Sequence, residues 1–144
     1  MLSQAEADAL LAMPKRYLGP DPLAFPAAGE KATYDVESED SREKFVVDIN
    51  RGRIRLTKCT YQNRYQAVEV LVRLDLDGPP HENPDGTVIA CPHLHLYHEG
   101  FGDKWASPIP DGQFANLDDL VQAFVDFLVF CRVDNRPEVQ GALL

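Results

Sequence analysis

Residues 67–77 read AVEVLVRLDLD, and this alternation of apolar and polar side chains decides the fold. The apolar positions are Val68, Val70, Val72 and Leu74. The polar positions are Glu69, Arg73 and Asp75. A period of two that continues over so many residues predicts a β-strand with one buried face and one polar face.

A strand pair is predicted upstream of this segment. KFVVDIN (44–50) and RIRLTKC (53–59) are rich in β-branched and apolar residues. We expect a two-residue hairpin turn between them, with Gly52 supplying a positive φ. Within the second strand, alternation predicts that Arg53 and Arg55 share the polar face.

Helical patterns are predicted at both ends of the chain. Ser3 and Glu6 have the spacing of a capping box, and Asn116 is a favourable N-cap before a long run of apolar residues at helical spacing. The fold class predicted is α+β: an antiparallel sheet of four to six strands, with a short N-terminal helix and a C-terminal helix packed on one face. We expect a single domain over residues 1–144, made of an N-terminal helix and connector (1–29), a sheet (30–110) and a C-terminal helix (116–133).

Composition excludes several classes of protein. The chain has 144 residues, a net charge of −9 and 44% hydrophobic residues, which is an ordinary globular balance. No apolar run approaches the ~20 residues that cross a bilayer, and the acidic N-terminal segment lacks the features of a signal peptide, so no membrane partner is expected. Three cysteines are too few for a disulfide scaffold, which favours a cytoplasmic location.

Basic residues are concentrated in one part of this acidic chain. Between residues 42 and 73 there are eight lysines and arginines but only three acidic residues. This asymmetry predicts a basic face on an acidic body, of the kind that binds phosphate groups. The alternative is that the arginines are simply solvated on the outer faces of strands.

The segment PHLHLYHEGFGDKWA (92–106) contains the side chains best suited to catalysis or ligand binding. Its leucines alternate with a polar row formed by His93, His95 and Tyr97. Alternate side chains along a strand are ~6–7 Å apart. Because the leucines belong in the core, we expect this row to face away from the C-terminal helix, together with Arg73 and Asp75.

Residues 71–106 resemble an uncharacterised family of small bacterial and prophage-borne proteins. The resemblance lies in a box of the form PHxHxYxEGxGDKWA that follows an RxD…PHxNPDG segment. It implies no activity, because the family has none that is settled. The residues it singles out are Arg73, Asp75, His81, Asn83, Asp85, His93, His95, Tyr97, Glu99, Asp103, Lys104 and Trp105.

The predicted polar face suits RNA binding or metal-independent RNA cleavage, with no cofactor and RNA as the partner. Attack by a ribose 2′-hydroxyl requires a base, an acid and a cation, which histidine and arginine supply near neutral pH. The predicted catalytic residues are His93, His95, Tyr97 and Asp75. The predicted nucleic-acid contacts are Arg53, Arg55, Arg64, Arg73 and Lys104.

Three alternatives remain open at this stage. The first is a metal site formed by His81, His93, His95 and Glu99, since the H-x-H-x3-E string is similar to the first cupin motif. Nothing downstream is similar to the second cupin motif. The second is an acidic, non-enzymatic module of the phage anti-defence type, which binds another protein or forms a homodimer through its C-terminal helix. The third is a polar network in which the histidines are structural.

Overall fold

A computed structural model describes residues 1–141 and confirms the α+β class. In chain order the elements are α1 (Gln4–Ala12), β1 (Lys15–Tyr17), β2 (Leu23–Ala24), β3 (Lys31–Ser38), β4 (Lys44–Arg51), β5 (Cys59–Tyr65), β6 (Glu69–Asp75), β7 (His81–Glu82), β8 (Val88–Ile89), β9 (His93–Leu96), β10 (Ala106–Pro108), α2 (Leu120–Phe130) and β11 (Val139–Gln140). Within the described residues, neither helix is long and apolar enough to cross a membrane.

Within residues 1–141, seven strands form one antiparallel sheet, in the order β1-β3-β4-β5-β6-β9-β10. The sheet exceeds the predicted four to six strands, partly because β1 lies within residues 1–29, which were predicted as a helix and connector. Two short pairs lie outside it: β11 runs parallel to β2, and β7 pairs with β8 as a small hairpin.

Helix α2 packs on one face of this sheet. The hydroxyl of Tyr61 donates to the Leu120 carbonyl at 2.6 Å, and the rings of Tyr61 and Phe124 are 5.2 Å apart. The helix begins at Leu120 rather than at the predicted residue 116. Its N-cap is Asp119, whose side chain accepts from the Gln122 N–H. The Asn116 side chain accepts instead from the Asp118 N–H and closes a separate turn.

The predicted strand 53–59 is wrong. Residues 52–58 form a loop, and β5 begins only at Cys59. Two hydrogen bonds shape the loop, from the Gly52 N–H to the Lys58 carbonyl and from the Lys58 N–H to the Arg55 carbonyl. Glycine is required at position 52 because the backbone of Arg55 approaches it closely, not because its φ is positive. A Cβ on residue 52 would lie 2.9 Å from the Arg55 carbonyl oxygen.

A buried lysine joins the C-terminal ends of the two helices. The ammonium group of Lys15 donates to the carbonyls of Leu11, Met13 and Cys131 at 2.8–3.0 Å. Helix C-termini present carbonyls without intrahelical partners, so a cation is favourable at this position. Burial nevertheless disfavours the charge, and it lowers the pKa of Lys15 to about 8.

Candidate acid–base site

The centre of the site is fixed by the register between β6 and β9. Asp75 lies opposite His93, and Arg73 lies opposite His95. Side chains alternate along a strand, so these four share the face opposite α2, as predicted. The sequence suggested that this face is open to solvent, but the structure covers it: His93 is only 2% exposed and His95 is fully buried.

The covering consists of the β7–β8 hairpin and the loop of residues 98–105. The Nε2 atom of His81 lies 2.7 Å from the Lys104 carbonyl, and the His81 ring is 4.6 Å from the ring of His95. Asn83 holds the hairpin in place: its carboxamide accepts from the Ala106 N–H and donates to the Ala106 carbonyl. The hairpin therefore brings a third imidazole to the polar face.

Asp75 is the hub of the hydrogen-bond network. Its carboxylate oxygens lie 3.1 Å from His93 Nε2, 3.3 Å from His95 Nε2 and 3.1 Å from Arg73 Nε. The Thr60 hydroxyl donates to it at 3.2 Å. Burial would raise the pKa of Asp75, but hydrogen bonding to His95 and the charge of Arg73 outweigh it and hold the pKa well below its ordinary value of 3.8. Asp75 is thus a carboxylate.

The partners of the imidazoles indicate where their protons lie. Nδ1 of His93 lies 3.2 Å from the Ile89 carbonyl and 3.6 Å from the Cys91 Sγ, and Nε2 lies 3.1 Å from Asp75 Oδ2. His81 donates from Nε2 to the Lys104 carbonyl, so the lone pair of a neutral ring is on Nδ1. Among the described residues, Nδ1 of His81 has no hydrogen-bond partner.

His95, which the sequence predicted as catalytic, is fully buried and has neighbours at both ring nitrogens. Its Nδ1 donates to the Asp103 carbonyl at 2.8 Å. Its Nε2 lies between a donor and an acceptor, 3.0 Å from Arg73 Nη2 and 3.3 Å from Asp75 Oδ2. When neutral it accepts from Arg73, and when protonated it donates to Asp75.

Two adjoining clefts open onto this network. One, of about 260 Å³, is lined by Lys58, Thr60, Arg73, Asp75, Asp77, Gly78, Pro79, Pro80, His81, Cys91 and His93. The other, of about 370 Å³, is lined by Asp48, Asn50, Thr60, Gln62, Arg73 and Asp75. They share Thr60, Arg73 and Asp75, so a chain-like ligand in one would continue into the other.

Most of the predicted phosphate contacts are already paired with acidic residues. Arg55 binds Asp77, Arg64 binds Asp48, and Arg73 binds both Asp75 and Asp103. In the part of the chain that the structure describes, Arg53, Lys58 and Lys104 make no ion pair and are exposed. Lys58, which the sequence did not single out, lines the same cleft as His93.

Two predicted site residues lie away from the network. The Tyr97 hydroxyl donates to the Leu2 carbonyl at 2.6 Å and is buried against the N-terminal segment. Glu99 accepts from the backbone N–H of Gln4 at 2.7 Å, where it satisfies the first turn of α1. Both residues fasten the N-terminal helix, so neither joins the histidines.

One set of donors has the geometry of a metal site. Single ligand atoms of Asp75, His93 and His95 all lie within 4.8 Å of one another. In both histidines Nδ1 faces a backbone carbonyl, an arrangement that is common in histidines that bind metal through Nε2. Asp75 thus replaces Glu99 of the predicted ligand set, and His81 lies outside the group.

Comparison with known proteins gives a family but no activity. No curated protein and no solved structure matches the chain. A family model matches residues 2–133. The chain therefore belongs to the family of unknown function DUF6978.

Proposed function

We propose that this protein binds RNA and cleaves it without a metal, with His81 as general base and His93 as general acid. The observation that carries the proposal is the placement of two imidazoles with different hydrogen-bond partners in one cleft. Their ring centroids are 6.0 Å apart. Nδ1 of His81 has no hydrogen-bond partner within residues 1–141, whereas the ring nitrogens of His93 lie beside the Ile89 carbonyl, the Cys91 thiol and Asp75.

The chemistry follows from this placement. Nδ1 of His81 removes the proton of a ribose 2′-hydroxyl as its oxygen attacks the adjacent phosphorus. His93 donates a proton to the departing 5′-oxygen, so the products are a 2′,3′-cyclic phosphate and a 5′-hydroxyl. General acid–base catalysis of this kind contributes about 10²–10⁴-fold to the rate.

Two cations line the same cleft and suit the charge of the transition state. Arg73 is oriented by Asp75 and Asp103, with Nη1 2.7 Å from Asp103. Lys58 makes no ion pair among the described residues and lies at the cleft wall. A fixed guanidinium and an ammonium beside a developing phosphorane stabilise it electrostatically.

The direct experiment is RNA cleavage in the presence of EDTA. We expect the purified chain to cleave single-stranded RNA, to leave 2′,3′-cyclic phosphate ends and to spare DNA of the same sequence, which lacks the nucleophile. Absence of cleavage, cleavage of DNA, or cleavage that EDTA abolishes would contradict the proposal.

A second candidate is a metal centre at Asp75, His93 and His95. The observation that favours it is the convergence of two Nε2 atoms and one carboxylate, which resembles a two-histidine, one-carboxylate site. Against it, Nη2 of Arg73 lies 3.0 Å from Nε2 of His95, so a cation requires the guanidinium to move. Metal analysis of protein purified without an affinity tag tests it: stoichiometric metal and a melting temperature that falls on chelation would favour the metal centre.

A further inference from the structure

The cleft beside the acid–base site has a polar lining suited to a nucleobase. It is formed by side chains of β4, β5 and β6, and it meets the histidine cleft at Thr60, Arg73 and Asp75. A nucleotide bound next to the reacting phosphate would therefore place its base in this cleft.

Gln62 lies in this cleft with a fixed orientation. Its Nε2 donates to Asp48 at 2.9 Å, and Asp48 also accepts from Thr33 at 2.7 Å and from Arg64 at 2.7 Å. Because a carboxylate only accepts, the nitrogen of Gln62 must face Asp48 and the oxygen must point elsewhere. Among the described residues, no donor binds that oxygen.

Asn50 supplies the complementary group. It lies on the same face as Gln62, diagonally across the β4–β5 pair, where side chains are about 7–8 Å apart. It is exposed, lines the cleft, and makes no side-chain hydrogen bond within residues 1–141. The pair thus presents a fixed acceptor from Gln62 and an adjustable donor from Asn50.

We propose that this cleft is a base-reading subsite that selects bases whose Watson–Crick edge has an amino group beside a ring-nitrogen acceptor, namely adenine or cytosine. The inference rests on the proposed function, since the base is that of the bound RNA. The amino group donates to Gln62, and Asn50 donates to the ring nitrogen. Uracil has the opposite pattern at the corresponding edge, so its O4 acceptor would face the fixed Gln62 oxygen and could not hydrogen-bond to it.

The same geometry selects single strands. The histidine cleft lies under two loops, and His93 is only 2% exposed. A base paired in an A-form helix does not reach such a site, whereas an unstacked base does, and sequence-specific RNA recognition generally uses unpaired bases.

The test compares the binding of oligo(A), oligo(C) and oligo(U) of equal length by fluorescence anisotropy at low salt. We expect the wild-type chain to bind oligo(A) and oligo(C) about tenfold more tightly than oligo(U). Asn50→Ala and Gln62→Met should each remove most of that difference and leave oligo(U) binding nearly unchanged. Gln113→Ala, an exposed carboxamide in the loop before α2, is the matched control and should keep it.

The outcomes separate the two proposals. Equal affinity for all three oligonucleotides, or a preference that survives in both cleft variants, would overturn the base-reading subsite while RNA binding stands. Binding of none of them would overturn the proposed function itself. Asn50 is exposed, so Asn50→Ala is expected to fold even if Gln62→Met does not, and the melting temperature of each variant checks this.

Discussion

The imidazole rings of His81 and His93 lie 6.0 Å apart, although a proline-rich and glycine-containing segment separates the two residues in the chain. Asn83 accounts for their proximity. It is only 6% exposed, and its two hydrogen bonds to the Ala106 backbone fasten the β7–β8 hairpin to β10.

Asn83→Ala should therefore cost both stability and activity. It leaves a buried N–H and a buried carbonyl of Ala106 without partners, which costs about 1–3 kcal/mol of unfolding free energy. Urea unfolding measures the loss, and Glu82→Ala, at the exposed position just before it in the same hairpin, is the control. Equal stability of the two variants would show that the hairpin is held in another way.

Acid should destabilise the fold partly through Asp75. Its pKa is below the ordinary value of 3.8 in the folded protein, so the unfolded chain takes up the proton first as the pH falls. The stabilisation that Asp75 contributes is therefore complete above about pH 5 and is lost progressively below about pH 4. We expect the unfolding free energy of the wild type to fall more steeply with decreasing pH than that of Asp75→Asn. The control Asp111→Asn should follow the wild type, and parallel curves for all three proteins would refute the linkage.

RNA binding should depend on salt through Arg53 and Lys58, the two cations of the 52–58 loop that make no ion pair within residues 1–141. Each lysine or arginine that contacts a phosphate contributes about one unit to the slope of log K against log salt. Arg53→Ala combined with Lys58→Ala should thus weaken binding and make the slope shallower by about two units. Arg42→Ala, in the β3–β4 connection and 84% exposed, should leave the slope nearly unchanged. An unaltered slope in the double variant would exclude the loop as an RNA contact.

Lys15 should be important for stability rather than for activity. Lys15→Met keeps the length of the side chain but leaves three carbonyls at the helix ends without their donor. We expect a loss of about 2–4 kcal/mol in unfolding free energy, with RNA cleavage per folded molecule retained. Lys31→Met, at an exposed position, should change stability little. A stable Lys15→Met protein would mean that the carbonyls find other partners.

The side-chain face of the histidines could be predicted from the sequence. Alternation along residues 67–77 and 92–97 placed Arg73 and Asp75 on the face of His93 and His95, and the register between β6 and β9 has that arrangement. The period-two pattern holds where β6 and β9 pair, from Val72 opposite Leu96 to Asp75 opposite His93. It fails at the start of the segment, because Val68, predicted on the buried face, precedes β6 and is 74% exposed.

Features that depend on distant contacts could not be predicted in this way. Residues 53–58 alternate like a strand, but Asp77 accepts hydrogen bonds from Arg55 and Thr57 and holds them in a loop. The position of His81 depends on Asn83 reaching Ala106, which no local pattern reveals. The start of α2 was misplaced because Asn116 and Asp119 are both favourable N-caps, and sequence alone does not rank them.

The most direct measurement of the central claim compares His81→Ala and His93→Ala on two substrates, with exposed His98→Ala as the control. On RNA, both variants should lose about 10²–10⁴-fold in kcat/KM, and the control should not. On a ribonucleoside 3′-(4-nitrophenyl phosphate), whose leaving group needs no proton, His93→Ala should recover nearly wild-type activity and His81→Ala should remain impaired. Wild-type rates on RNA in either variant, or equal loss by both variants on the two substrates, would contradict the assignment of base and acid.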